Sequence, residues 1–192
     1  MREFIPTTKT FNITALIEGL WNGSTMVSDS ITVEIRNSFS PFAIVESKKI
    51  LLNNVGFGST IFTQPSETTP YYIVVKHRNS IETWSLTSAQ FSAGSLTYDF
   101  TTAQNKAFGN NLKLVNGRCC IYSGDVNQDG FIDINDQSQV FVDNVLGYNG
   151  YLVTDLNGDL YTEISDLNIV FINKVLGIST KKPTTSINQI GE

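Results

Sequence analysis

The chain has 192 residues, of which 41% are hydrophobic and 11% aromatic. This is the composition of a globular chain, not a disordered one, and no run approaches the roughly 18–20 apolar residues that span a bilayer. The formal charge of −5 is unevenly spread: residues 1–118 hold 10 Lys/Arg against 8 Asp/Glu, whereas residues 119–177 hold 9 Asp/Glu against Lys174 alone. So acidic a segment excludes nucleic acid as a partner and calls for a cation to offset its self-repulsion.

Residues 1–10 read as an N-terminal linker and residues 11–117 as a β-sandwich domain. "ITVEIR" alternates Ile31, Val33 and Ile35 inward with Thr32, Glu34 and Arg36 outward, and "SLTYDFT" does the same through Leu96, Tyr98 and Phe100. Further strands are expected at 11–21, 41–46, 49–53, 59–64, 70–77 and 81–86, separated by turns such as "NNVGFG" and "PSETTP". About seven short strands at this spacing predict an Ig-like or prealbumin-like sandwich without a helix of useful length.

Nothing in this domain spells out an enzyme. His77 in "VVKHRNS" is the only histidine, near Arg78 and Glu82, and reads as structural. No Ser/His/Asp or Cys/His set and no Gly-rich phosphate loop is legible. Trp21, Trp84, Tyr71 and Tyr72 would stack on sugars if exposed; more simply, they fill the sandwich core. Cys119 and Cys120 are adjacent at the domain junction, too close for an ordinary disulfide. They are expected as two buried thiols, or as one thiol pairing between chains.

Residues 118–178 carry a duplication. "DVNQDGFIDINDQSQVFVDNVLG" (125–147) lies without a gap over "DLNGDLYTEISDLNIVFINKVLG" (155–177), with 10 of 23 positions identical. The spacing is that of a calcium loop, which takes oxygen side chains at positions 1, 3 and 5, a backbone carbonyl at 7, often a water held by 9, and a carboxylate at 12. In the first copy these are Asp125, Asn127, Asp129, Phe131, Asp133 and Asp136; in the second they are Asp155, Asn157, Asp159, Tyr161, Glu163 and Asp166. Magnesium favours fewer carboxylates, and zinc would draw on Cys or His. Two calcium ions are therefore expected. Gly130 stands at position 6, where a sharp turn needs φ > 0, whereas the second copy has Leu160 there and Gly158 two positions earlier. A left-handed leucine costs about 1 kcal/mol, so the second site is expected to be the weaker. As a bland alternative, Asp136 and Asp166 would serve only as early-turn helix acids.

Helices of about three turns are expected at 135–146 and 165–176, ended by Gly147 and Gly177. A calcium loop followed by a helix, twice, with Asp at position 12, resembles the dockerin modules of secreted bacterial enzymes and scaffolds. The resemblance covers roughly residues 123–178. It implies docking to a cohesin-like partner, but positions 10 and 11, often Ser/Thr in that family, are here Ile134–Asn135 and Ile164–Ser165. The calcium chemistry carries over and cohesin contacts do not carry over residue by residue. "YYIVVKHRNSIETWS" and "LTYDFTTAQNKAFGNNLKLV" look like a domain that precedes dockerin-like repeats in large secreted bacterial proteins, which implies an extracellular setting and no activity.

The helices are apolar on more than one face, through Val140, Phe141, Val142, Val145 and Leu146 in the first and Leu167, Ile169, Val170, Phe171, Ile172, Val175 and Leu176 in the second. Two short helices cannot bury all of this on each other. The remainder meets the sandwich or a partner, and Ile134, Phe141, Val142, Ile164, Phe171 and Ile172 are the expected partner-contacting residues. The expected function is calcium-dependent protein–protein docking, adhesion or assembly outside the cell. The partner is another secreted or surface protein, or further copies of the chain; the alternative is a sugar-binding sandwich that takes a polysaccharide. The polar "STKKPTTSINQIGE" end, residues 179–192, reads as a flexible tail.

Overall fold

Alternating apolar residues build two sheets that share one core. The structure, a computed structural model, describes residues 8–184. In the smaller sheet, β1 (Lys9–Thr14) lies between β4 (Phe57–Phe62), antiparallel, and β8 (Ser95–Asp99), parallel. In the larger, β2 (Asp29–Asn37) lies between β3 (Ile44–Leu52) and β5 (Pro70–His77); β6 (Ser80–Trp84) and the two-residue β7 (Ala89–Gln90) both pair with β5. A hairpin of β9 (Lys113–Val115) and β10 (Arg118–Cys120) completes the β part. Phe11, Ile13 and Phe62 from the first sheet and Ile31, Val33, Ile35, Ile73 and Val75 from the second belong to one buried cluster. The alternation read in β2 is thus realised, with Glu34 on its other face bonded to Arg36 and Lys76.

The strand expectations differ from the structure in several places: β7, β9 and β10 have no counterpart among the expected strands, and the β9–β10 hairpin crosses the expected boundary between residues 117 and 118. The segments expected at 41–46 and 49–53 merge into a single strand, β3, which runs only over Ile44–Leu52. Its central Ser47–Lys49 resembles a break, but β3 is a sheet edge, where lysines are at home. The strand expected over 11–21 leaves its sheet after Thr14; Leu16 to Glu18 then bond instead to Ile121, with Ile121 N to Leu16 O at 2.7 Å and Glu18 N to Ile121 O at 2.9 Å. An unbroken apolar run, Ala15 to Ile17, is buried on both sides, so it has no reason to stay at a half-exposed sheet face. Lys9 and Thr10, assigned to the linker, belong to β1; residues 1–7 lie outside the described residues.

The helices form where expected, α1 at Ile134–Leu146 and α2 at Ile164–Val175. Asp133 caps α1 by accepting from the Asn135 amide at 2.7 Å, and Gly147 (φ 68) and Gly177 (φ 66) end the helices in the left-handed region that glycine adopts freely. Between the sheets' segment and the helical segment no gap opens. Val126, Ile132, Val140, Leu156 and Val170 join Leu16, Ile17, Leu20 and Ile121 in the same buried cluster. Polar contacts seal the junction. Glu18 accepts from Ser123 N at 3.1 Å and from Asn173 Nδ2 at 2.6 Å and pairs with Lys113, while Asn173 Nδ2 also donates to Ser123 O at 2.8 Å. The chain is mainly β with a small α part.

Candidate calcium sites

Both loops fold by the same hydrogen bonds, offset by thirty residues. Asn127 Oδ1 accepts from Asp129 N and Asp129 Oδ1 from Phe131 N, each at 2.9 Å. Asn157 and Asp159 do the same for Asp159 N and Tyr161 N, each at 2.9 Å. Such side-chain turns curl the backbone and bring the loop oxygens inward. Phe131 and Tyr161 themselves point to solvent, which leaves their backbone carbonyls as the groups position 7 requires.

At position 12 each aspartate closes its loop. Asp136 accepts from Val126 N (2.9 Å), Asn127 N (3.2 Å) and Asp133 N (2.9 Å). Asp166 accepts from Leu156 N (2.7 Å), Asn157 N (3.1 Å) and Glu163 N (2.9 Å). The helix-capping role and the loop-closing role therefore coincide. Three donors still leave acceptor capacity on a carboxylate, which offers about four lone-pair sites.

The two first-position aspartates differ. Asp155 Oδ1 accepts from Gly158 N at 2.8 Å, and its Oδ2 faces Leu160 N at 3.3 Å and Arg78 Nη2 at 3.8 Å. Asp125 is 2% exposed, and its Oδ1 is buried without a hydrogen-bond partner. A buried carboxylate oxygen with nothing to bind is costly. Burial, with the charges of Asp136 and Asp129 beside it, pushes the Asp125 carboxyl up to about 7. The residues of the first loop thus fit a cation: the arrangement has an orphaned oxygen and uncompensated negative charge where one would sit. Asp125, Asn127, Asp129, Phe131, Asp133 and Asp136 would hold it. Among the described residues, no group of three or more His, Cys, Asp or Glu side chains is drawn together as a metal cage; the loop pattern instead includes an amide and a main-chain oxygen.

Leu160 is left-handed, with φ 73, as its position predicts. The penalty does not separate the loops, however. Gly158 (φ 77) and Gln128 (φ 59) show that position 4 is left-handed too, alongside Gly130 (φ 89). Each loop has one glycine and one other residue at these two turns, and Gly158 serves the position where the first loop has glutamine. Sequence reasoning assigned the left-handed turn to position 6 alone.

It also missed the strap after each helix. Thr180 N donates to Gly130 O at 2.8 Å and Ile132 N to Ile178 O at 2.9 Å; thirty residues earlier, Gly150 N donates to Leu160 O at 2.7 Å and Thr162 N to Tyr148 O at 3.2 Å. Each loop is therefore bound to the segment that follows the other loop's helix. Ser179 to Lys181, placed in the flexible tail, are held between the first loop and Thr83 of β6. Residues 185–192 of that tail lie outside the described residues.

The expected partner-contacting residues are all exposed, from 48% for Phe171 and Ile172 to 62% for Ile164. They form matched pairs: Ile134 with Ile164, Phe141 with Phe171, Val142 with Ile172. Val145 with Val175 and Leu146 with Leu176 extend the series. Val140 and Val170 face the core instead.

Of the other side chains singled out in the sequence, His77, Tyr71, Trp84, Cys119 and Cys120 are buried, and Trp21 and Tyr72 are half-buried. His77 is buried, its Nδ1 3.0 Å from Ser80 Oγ and its Nε2 3.2 Å from Asp29 Oδ2. Burial alone would raise the Asp29 carboxyl, but hydrogen bonds with His77, Tyr151 and the Ser30 amide outweigh it and hold the group well below the usual carboxylate range. Trp84 and Tyr71 are buried, and Trp84 packs edgewise on Phe42 and Tyr72. Cys119 and Cys120 are both free and buried, and burial pushes the Cys120 thiol up to about 12.

No protein-family model matches the chain, and no curated protein does.

Proposed function

We propose that the chain is a calcium-stabilised, non-catalytic docking module of a secreted protein, in which an Ig-like sandwich supports a dockerin-like pair of loop–helix segments. The observation that carries it is the series of matched apolar pairs left exposed on α1 and α2, each helix rooted in an acidic loop. Exposed apolar residues in such a series mark a surface for another protein. The orphaned Asp125 Oδ1 supports calcium as the staple. A bound calcium would supply positive charge at the first loop and so hold the root of α1. With the left-handed turns balanced between the loops, it is the unpartnered Asp125 oxygen, against the partnered Asp155 carboxylate, that makes the first loop the stronger site and the second the weaker. The partner is another secreted or surface protein of cohesin-like role.

The test uses the whole chain, immobilised and exposed to secreted and surface proteins in calcium, then eluted with chelator. A defined protein that is released by chelator and not retained by the Phe141→Asp/Phe171→Asp variant is the expected result. Equal retention by the variant would move the docking surface elsewhere. Release of the same chain alone would replace docking in trans by self-assembly, and recovery on insoluble polysaccharide would point to the sandwich.

A further inference from the structure

Arg78 follows β5, in the turn to β6, and reaches across the junction to the second loop. Its side chain is held on four sides. Nε lies 3.1 Å from Asp29 Oδ2, Nη1 donates to the Leu152 carbonyl, the guanidinium lies 4.3 Å from the centre of the Tyr151 ring, and Nη2 is 3.8 Å from Asp155 Oδ2. Tyr151 in turn donates to Asp29 Oδ1 at 2.6 Å. The Arg78 side chain is 13% exposed and that of Asp155 only 1%. The guanidinium is therefore a fixed, poorly solvated charge beside the first-position carboxylate of the second loop.

The neighbouring backbone closes on the same point. Asn79 Nδ2 donates to the Asp155 carbonyl at 3.0 Å. Gly19 lies so close to the Leu156 carbonyl that a Cβ there would stand 2.2 Å from its oxygen, which no side chain could occupy. The sheets thus grip the first two residues of the second loop. Among the described residues no cation pairs with a first-loop carboxylate: Lys76 and Lys182 line the cavity beside Asp125, but Lys76 is engaged by Glu34 and Glu82, Gln128 Nε2 reaches Ser80 O at 3.3 Å, and Asp125 Oδ1 is left orphaned.

Resting on the calcium assignment of the first loop, we infer that Arg78 is the built-in counter-ion of the second loop, which holds that loop closed without calcium and weakens its affinity for the metal. Two consequences follow from one charge. Without calcium, the guanidinium offsets Asp155 and keeps the loop shut. When calcium approaches, the same guanidinium repels it at short range and low solvation. The loops are then a metal-dependent one and a protein-clamped one, differing through a residue outside the repeat.

Hydrogen exchange of the whole chain, followed at residues 124–136 and 154–166 in chelator and in calcium, tests this. In chelator the second loop is expected to exchange about tenfold more slowly than the first, and calcium is expected to protect mainly the first. Arg78→Gln should strip the second loop of its protection in chelator, and calcium should restore it. Calorimetry on Arg78→Gln should show the weaker calcium site tightened by about tenfold. A purely structural arginine would not produce that gain. Equal exchange of both loops in wild-type chain under chelator overturns the inference without recourse to a variant, as does unchanged weak-site affinity in Arg78→Gln. Calcium that alters neither loop nor binds in calorimetry defeats the calcium assignment instead, while the chelator comparison still judges the clamp.

Discussion

The Thr180 amide donates to the Gly130 carbonyl at 2.8 Å, joining the strap that follows α2 to the tight turn of the first acidic loop. Thr180 lies beyond α2, outside the duplicated 23-residue segment, yet it closes the first loop as Gly150 closes the second. Replacing Thr180 by proline removes the donor. We expect a loss of about 1 kcal/mol in urea unfolding and a weaker first calcium site by calorimetry. Unchanged calcium binding would show that the strap is only an attachment.

Asp125→Asn separates the fold from the metal. The substitution keeps the shape but removes a buried negative charge whose Oδ1 is unpartnered. In chelator the variant should unfold at higher temperature than wild type, and in excess calcium at lower temperature. The reversal is the diagnostic, because a residue important only for packing would shift both measurements in one direction.

Asn173 holds the junction. Its amide donates to Glu18 and Ser123 and its oxygen accepts from Lys113 Nζ at 3.1 Å. Asn173→Ala leaves the Glu18 carboxylate and the Ser123 carbonyl short of a donor in a buried place, for which about 2–4 kcal/mol is expected. Denaturant melts followed at the tryptophans would measure it; a loss under half a kcal/mol would mean water fills the gap.

Leu160→Gly relieves a left-handed leucine that is 52% exposed and so gives up little burial. It should stabilise the chain by about 1 kcal/mol. Gln128→Gly should gain less, because Gln128 also donates to the carbonyls of Asp125 and Ser80. Equal gains, read from urea midpoints, would contradict the bonding role of Gln128.

The Asp29 cluster sets an acid limit. Its folded carboxyl is held far below its unfolded value of about 3.9. The folded state then binds fewer protons than the unfolded one through that range, so stability is full above pH 4 and falls as pH drops below it toward the folded value. Asp29→Asn should lower stability at neutral pH and flatten this acid slope. An unchanged slope between pH 4 and 2 would assign acid sensitivity to other carboxylates.

The acidic loops and the two helices were legible because their determinants are local. Oxygen side chains at alternate positions bond to amides two residues on, and Gly147 and Gly177 mark helix ends by a conformation other residues adopt at a cost. β3 was misread as two strands because its middle is polar, and only its place at a sheet edge makes Ser47–Lys49 acceptable. Gln128 was missed because glutamine gives no sign of a left-handed turn. The strap at Ser179 and Thr180 was missed because it bonds through main-chain groups, which every residue but proline possesses.

By itself, the amino-acid sequence determined a mainly β chain, the duplicated acidic loops with their ligand-type spacing, the limits of both helices and the apolar character of their surfaces. Those features follow from periodicity and from contacts a few residues apart. Only the tertiary structure decided that Val140 and Val170 face the core while Phe141 and Phe171 stay exposed, that Asp125 has an oxygen without a partner, and that Arg78 stands against Asp155. Burial and charge compensation depend on what packs there from distant parts of the chain: Arg78 and Asp155 are far apart in sequence, and their meeting is set by the shared core that brings β5 to the second loop.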